Sequence, residues 1–155
     1  MRNLNSIPRE PGVYALVLEL SKWFRSRVGS LGVVVLSPGT YVYVGIARGP
    51  GGLYARVRRH VAKEKRVRWH IDYLTTFDGA RARAVVYAVT TRDVESDYAR
   101  ALWSLGLEPS VKGFGCSDKP SHTHLYSCRL GLGECIEICR RGLELLGLEP
   151  SVITL

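Results

Sequence analysis

Apolar residues along this chain follow two periods. "GVYALVLEL" (12–20) is a near-continuous apolar run rich in β-formers, bounded by Pro11-Gly12 and Ser21-Lys22, and it predicts a buried strand. "LGVVVL" (31–36) predicts a second strand. Ser37-Pro38-Gly39 is a turn signal, so "TYVYVG" (40–45) is expected to pair antiparallel with that second strand. "RARAVVYAVT" (81–90) predicts another. The helical period takes over elsewhere. Gly49-Pro50-Gly51-Gly52 interrupts the strand pattern, and Leu53, Val57 and Val61 then recur at four-residue spacing, which predicts a helix over about 53–64. "WHIDYLTTF" reads as a short helical segment. Asp93 suits the N-cap of a helix running to Leu105, with Gly106 at its C-terminal end. "CIEICRRGLELL" (135–146) is a last amphipathic helix. "LGLEPSV" occurs at 105–111 and at 146–152; a helix-stopping glycine followed by a proline turn explains both copies without a duplication. The pattern gives one α+β domain over 1–155: a small antiparallel sheet flanked by helices, with a core over about 12–106 and a C-terminal extension over 107–155.

Composition narrows the class. The 155 residues fit one domain with a sizeable core, and 46% hydrophobic with 23% charged residues is ordinary for a globular chain. No apolar run reaches the length of a membrane span. "MRNLNSIPREPG" lacks the apolar core of a signal peptide, so a cytoplasmic protein is expected. The charge is not ordinary: net +8, mostly arginine, with pI near 9.6. Such a surface attracts polyanions, of which nucleic acid is the commonest in a cell. There is no glutamine and there are only two asparagines, a depletion of thermolabile amides that suggests a thermophile. In that setting intracellular cysteines can be oxidised.

The chemistry gathers around "YVYVGIARGPGGLYARVRRH" (41–60). On a strand Tyr41, Tyr43 and Gly45 share one face, while Val42 and Val44 share the other, which is expected to face the core. On the helix that follows, Arg56 and His60 lie four apart on one face. A phenol, a guanidinium and an imidazole would therefore surround one groove.

This arrangement resembles the GIY-YIG nuclease superfamily. Gly12-Val13-Tyr14 matches its first motif and Tyr43-Val44-Gly45 its second. Arg56 matches the arginine on the next helix, His60 the tyrosine or histidine one turn later, and Glu95 the glutamate that begins a later helix. "WHIDYL" (69–74), "GFGCSD" (113–118) and "HL" (124–125) resemble a largely archaeal branch of it. Ile46 departs from the pattern, standing where a lysine is common, with Arg48 the nearest cation; the usual late asparagine has no clear counterpart.

The resemblance implies a metal-dependent endonuclease that hydrolyses phosphodiester bonds in nucleic acid, with DNA favoured over RNA as partner, RNA left open, and DNA repair or recombination as a candidate setting. Glu95 would hold Mg²⁺ or Mn²⁺, ions that bind through one or two carboxylates, waters and phosphate oxygens. Arg56 would bind the phosphate as a bidentate fork. Tyr43 would act as general base or orient the attacking water; a free phenol has a pKa of about 10, so a base role needs that value lowered. Tyr14 and His60 would align the water or move its proton. Arg48, Arg58, Arg59, Lys63, Lys65, Arg66 and Arg68 are expected to hold the nucleic-acid backbone, and His70 and Asp72 to support the site from behind.

Two other readings use other residues. A non-catalytic nucleic-acid-binding module needs the basic face but not Glu95. A metal- or redox-linked domain would use Cys116, His122, His124 and Cys128, spaced C-x5-H-x-H-x3-C. Zinc takes these ligands, but the spacing matches no known finger. In the branch resembled, cysteines usually occur where Lys119 and Ser121 stand here, which disfavours zinc. Cys135 and Cys139 fall on the apolar face of the last helix and read as core. A bridge within that helix is geometrically poor, whereas Cys128 or Cys116 could reach it.

Overall fold

A computed structural model describes residues 4–116 and 122–155; Lys119 and Ser121 lie outside the described residues. Eight strands and four helices are described. They are β1 (Gly12–Leu20), β2 (Phe24–Arg27), β3 (Val33–Leu36), β4 (Gly39–Ala47), α1 (Gly52–Val61), α2 (His70–Thr75), β5 (Ala80–Val89), α3 (Glu95–Ser104), β6 (Glu108–Pro109), β7 (Leu125–Cys128), α4 (Leu132–Leu145) and β8 (Ser151–Thr154). Six of the strands form one sheet in the order β6-β7-β4-β1-β5-β8, and every adjacent pair is antiparallel. The α+β class read from the sequence is therefore correct, and β6, β7 and β8 of the C-terminal extension join the same sheet.

β1 is the central strand. It pairs along its whole length with β4, from Gly12–Ala47 to Leu20–Gly39, and on its other side with β5. Its near-continuous apolar sequence has this cause: a central strand covered on both faces needs apolar residues at every position. Tyr14, Leu16, Leu18, Tyr41 and Tyr43 point into one core, closed by α1 and α2. Val13, Ala15, Val17, Val42 and Val44 point into a second, closed by α3 and α4. The expectation that only the valines face a core is thus corrected: the tyrosine face is buried too.

Two further expectations fail. β3 does not pair with β4; it pairs with β2 in a separate ribbon, Phe24 opposite Leu36 and Arg27 opposite Val33. Both edges of β4 are occupied, one by β1 along nine residues and the other by β7 at Thr40–Tyr43, which leaves no edge for β3. Asp93 does not cap α3: Val94 occupies the cap position without a side-chain bond, and Asp93 instead lies 3.7 Å from Arg48. The last helix begins at Leu132, three residues before the predicted start. Cys128 of β7 and Cys135 of α4 form a disulfide, which selects Cys128 from the two candidates that could bridge to the helix; Cys116 and Cys139 are buried thiols.

Candidate active site

The register places Tyr14 opposite Gly45. A Cβ at Gly45 would overlap the Tyr14 phenol, so the glycine of the second motif makes room for the tyrosine of the first. Gly12 does the same for Leu53, which seats α1 against the sheet. α1 then carries His60 to Tyr14, and the Tyr14 hydroxyl and His60 Nε2 are 2.6 Å apart. The Tyr43 ring meets His60 edge-on at a centroid distance of 5.8 Å and Phe114 at 6.2 Å.

Burial controls the protonation of this cluster. It is the main reason that the His60 imidazole is held down to about 3, with Lys65 and Arg56 adding to the effect, so His60 is neutral near pH 7. Burial also raises both phenols, helped at Tyr14 by Tyr43 and at Tyr43 by the Glu95 carboxylate; Arg56 opposes the shift at each. Both tyrosines therefore keep their protons at neutral pH.

Arg56 sits at an interrupted sheet edge. β7 pairs with β4 as far as Tyr43–Leu125, and the Val44 amide still donates to the His124 carbonyl at 2.9 Å. Two residues on, Ile46 turns its carbonyl to the same edge. There Arg56 Nη1 donates to it at 3.0 Å. The other face of the guanidinium lies over the Trp69 ring at 4.7 Å, and Arg59 lies over the same ring at 4.7 Å.

Glu95 comes from the helix layer on the opposite face of the sheet, yet it acts on the Tyr43 phenol more strongly than any other carboxylate does. Its Oε1 is 3.7 Å from His124 Nδ1, and the side chain is 27% exposed. Among the described residues no three His, Cys, Asp or Glu side chains cluster tightly enough to hold a metal by themselves. A single partly exposed carboxylate does fit an ion that takes most of its ligands from water and phosphate.

The "WHIDYL" stretch and residues 113–116 build the wall behind these groups. The Gly115 amide donates to His70 Nδ1 at 2.9 Å, and His70 packs on Phe114 at 5.6 Å. Asp72 is fully buried and binds different partners from His70. Its Oδ2 accepts from Arg59 Nη2 at 2.6 Å and from the Arg68 and Trp69 amides at 2.8 and 3.0 Å. Burial alone would raise its pKa, but these amide and guanidinium bonds together outweigh it and hold the carboxyl below its usual value. Asp72 thus fixes Arg59 and the start of α2, which fixes Trp69 beneath Arg56.

The cations of the basic stretch divide into two groups. Arg59 is turned to Asp72. Lys63 donates to the Thr75, Phe77 and Ala80 carbonyls beyond α2. Lys65 donates to the Arg59 and His60 carbonyls at the end of α1, and burial lowers its pKa to about 8. Both lysines complete helix C-termini, where orphan carbonyls need donors. Arg48, Arg58, Arg66 and Arg68 remain exposed. The sequence showed where these cations stand in the chain but not which would turn inward.

The Cys/His set does not assemble. Cys128 is committed to the disulfide, Cys116 Sγ lies 3.7 Å from the Phe114 carbonyl, His124 is beside Glu95 and His122 is exposed. A groove of about 660 Å³ along Val35–Tyr41 and Ser127–Leu130 contains none of Tyr14, Tyr43, Arg56, His60 or Glu95. A cleft of about 370 Å³ includes His124 and Ser96, the spatial and sequence neighbours of Glu95.

The depressed imidazole predicts an acid dependence. Between the ordinary value of 6.5 and about 3, the unfolded chain protonates this histidine and the folded chain does not. The unfolded state then binds more protons, so stability falls as pH falls, by about 1.4 kcal/mol per pH unit below 6.5. Asp72, whose value is depressed, adds its own loss only at still lower pH. Urea unfolding of wild type and His60→Asn at a series of pH values checks this; equal slopes in the two proteins through the window below 6.5 would contradict it.

No curated protein and no solved structure matches this chain. A family profile matches residues 13–144, a span that contains Tyr14, Tyr43, Arg56, His60 and Glu95. The chain belongs to the family described as domain of unknown function DUF123.

Proposed function

We propose that this protein cuts phosphodiester bonds in nucleic acid, using Tyr43, Arg56 and Glu95 with the Tyr14–His60 pair behind them, and that its fold is of the GIY-YIG type. The observation that carries the reading is convergence. Five side chains spread from residue 14 to residue 95 lie on β1, β4, α1 and α3, and they act on one another through a 2.6 Å hydrogen bond, ring contacts and charge. The order of those elements along the chain supports the superfamily resemblance.

The roles follow from protonation and exposure. Arg56 is held by the Ile46 carbonyl, the Trp69 ring and Tyr14, and a guanidinium has five N–H donors, so some are left for a phosphate. Tyr43 is kept protonated, which suits a phenol that orients the attacking water better than one that removes its proton. Neutral His60 accepts from Tyr14 and keeps that hydroxyl aligned beneath Tyr43. A Mg²⁺ or Mn²⁺ ion at Glu95 would supply charge stabilisation at the phosphate and leaving oxygen. Arg48, Arg58, Arg66 and Arg68 are the exposed cations for the backbone. The charge favours DNA or RNA over a neutral substrate, and repair or recombination is the setting we favour.

The test is incubation of the purified protein with single-stranded, duplex, flapped and branched DNA and RNA, with Mg²⁺, with Mn²⁺ and with chelator. Cutting that requires the metal supports the reading. Salt-sensitive binding without cutting would favour a binding module on the same basic face.

A further inference from the structure

We infer that the cleft beside Glu95 receives one unpaired nucleotide of the substrate strand. The inference rests on the nucleic-acid reading above and narrows it to substrates with an unpaired base near the scissile bond.

The cleft is built by one face of α3. Ser96, Ala99, Arg100 and Trp103 recur at helical spacing along it, and Glu95 lies one turn before Ala99. The opposite wall comes from the β6 and β7 segments, through Pro109, Thr123, His124 and Tyr126. His124 belongs to this wall and is also 3.7 Å from Glu95, so the cleft lies beside the proposed metal-binding carboxylate.

Its size and chemistry fit a nucleotide. At about 370 Å³ it falls at the small end of ligand pockets, with room for a base and sugar but not for a duplex. Trp103 is 58% exposed although it is the largest apolar side chain on α3, and it forms one wall of the cleft with Tyr126 nearby. An exposed indole in a concave, mainly apolar site is a stacking surface, and every base offers a π-face to it. Among the described residues, those lining the cleft include Arg100 and Lys112 and no acidic side chain, so a phosphate meets these cations at its rim. Arg100 is paired with Asp97 at 2.6 Å, but both are exposed, and such a pair gives way readily to a phosphate.

The experiment is an anisotropy titration, in chelator, of a labelled oligothymidylate and of a duplex of equal length. The proteins are wild type, Trp103→Ala, Trp103→Phe and the double variant Arg100→Ala/Lys112→Ala. The single strand should bind wild type about tenfold more tightly than the duplex. Trp103→Ala should lose about tenfold on the single strand and nothing on the duplex, and Trp103→Phe should restore most of it. The double variant should flatten the salt dependence for the single strand by about 1.4 in logarithmic slope, about 0.7 for each phosphate that is no longer neutralised. Thermal melts confirm folding; Trp103 is exposed, so its truncation leaves both cores intact. Duplex binding as tight as single-strand binding, or a Trp103→Ala variant equal to wild type, overturns the inference. If cutting is observed alongside either result, the nuclease reading stands and the cleft assignment falls. If Trp103-dependent single-strand binding is found with no cutting of any substrate, the cleft stands and the catalytic reading falls.

Discussion

The Glu95→Gln variant should lose metal-stimulated cutting entirely while folding and binding nucleic acid almost as wild type does. Glu95 is the first residue of α3 and 27% exposed, so its removal as a charge opens no cavity. Its interaction with the helix dipole contributes about 0.3–1 kcal/mol, small against the roughly 5–15 kcal/mol that keeps a domain folded. An amide keeps the shape but lacks the charge that a hard divalent ion requires. Tyr43→Phe should act in parallel, lowering the cutting rate about 100-fold or more, because only the hydroxyl is lost. The ring keeps its contacts with His60 and Phe114, so the site stays packed. Single-turnover rates for the three proteins, with melting temperatures beside them, decide the matter. Cutting that survives in both variants would assign the activity to another site or to a contaminant.

How much of this was readable in the sequence depends on how local the cause is. α1 and β5 follow from short-range periodicity, and their limits fall within a few residues of the predicted ones. The Gly12-Val13-Tyr14 and Tyr43-Val44-Gly45 tripeptides sit on paired strands, and the reason for Gly45 appears only once Tyr14 is across from it. Strand pairing is a long-range choice, so the β3–β4 hairpin suggested by the Ser37-Pro38-Gly39 turn gave way to β1 on one edge of β4 and β7 on the other. "FRSR" carries one apolar residue in four and gave no strand signal, and β7 and β8 are four-residue strands that pair only at the sheet's periphery. Charge was read correctly as a total but not in its direction. Nothing in the run from Arg56 to Arg68 tells that Arg59, Lys63 and Lys65 turn inward, because their partners lie on α2, in the loops around it and at the end of α1. In the sequence Cys128 and Cys116 are both candidates to bridge to the last helix, and only the folded chain shows that Cys128 is the one beside Cys135.

Asp72 has the largest expected effect on stability, and it links stability to the site. The carboxylate is fully buried, and Arg59, whose side chain is 23% exposed, loses its anionic partner if the charge is removed. Breaking a buried pair by deleting one member costs about 3–5 kcal/mol, and the partial exposure of Arg59 points to the lower end, about 3 kcal/mol for Asp72→Asn. In a domain of this size that lowers the melting temperature by about 10 °C. The Arg68 and Trp69 amides would still find an acceptor in the asparagine oxygen, so α2 should remain and the domain should fold. What changes is the stack above it. Arg59 and Arg56 share the Trp69 ring, and a released Arg59 no longer holds that ring in register with α1. Arg56 would then keep its bond to the Ile46 carbonyl and its interaction with the Tyr14 hydroxyl but lose the ring beneath it. The cutting rate of Asp72→Asn should therefore fall about tenfold or more at temperatures well below its melting point, because misplacing one positioning group weakens catalysis far more than it weakens binding. A variant melting within a degree or two of wild type would show that Asp72 does not anchor Arg59. A variant that melts early but cuts at the wild-type rate when folded would show that the Arg59–Trp69–Arg56 stack plays no part in placing the guanidinium.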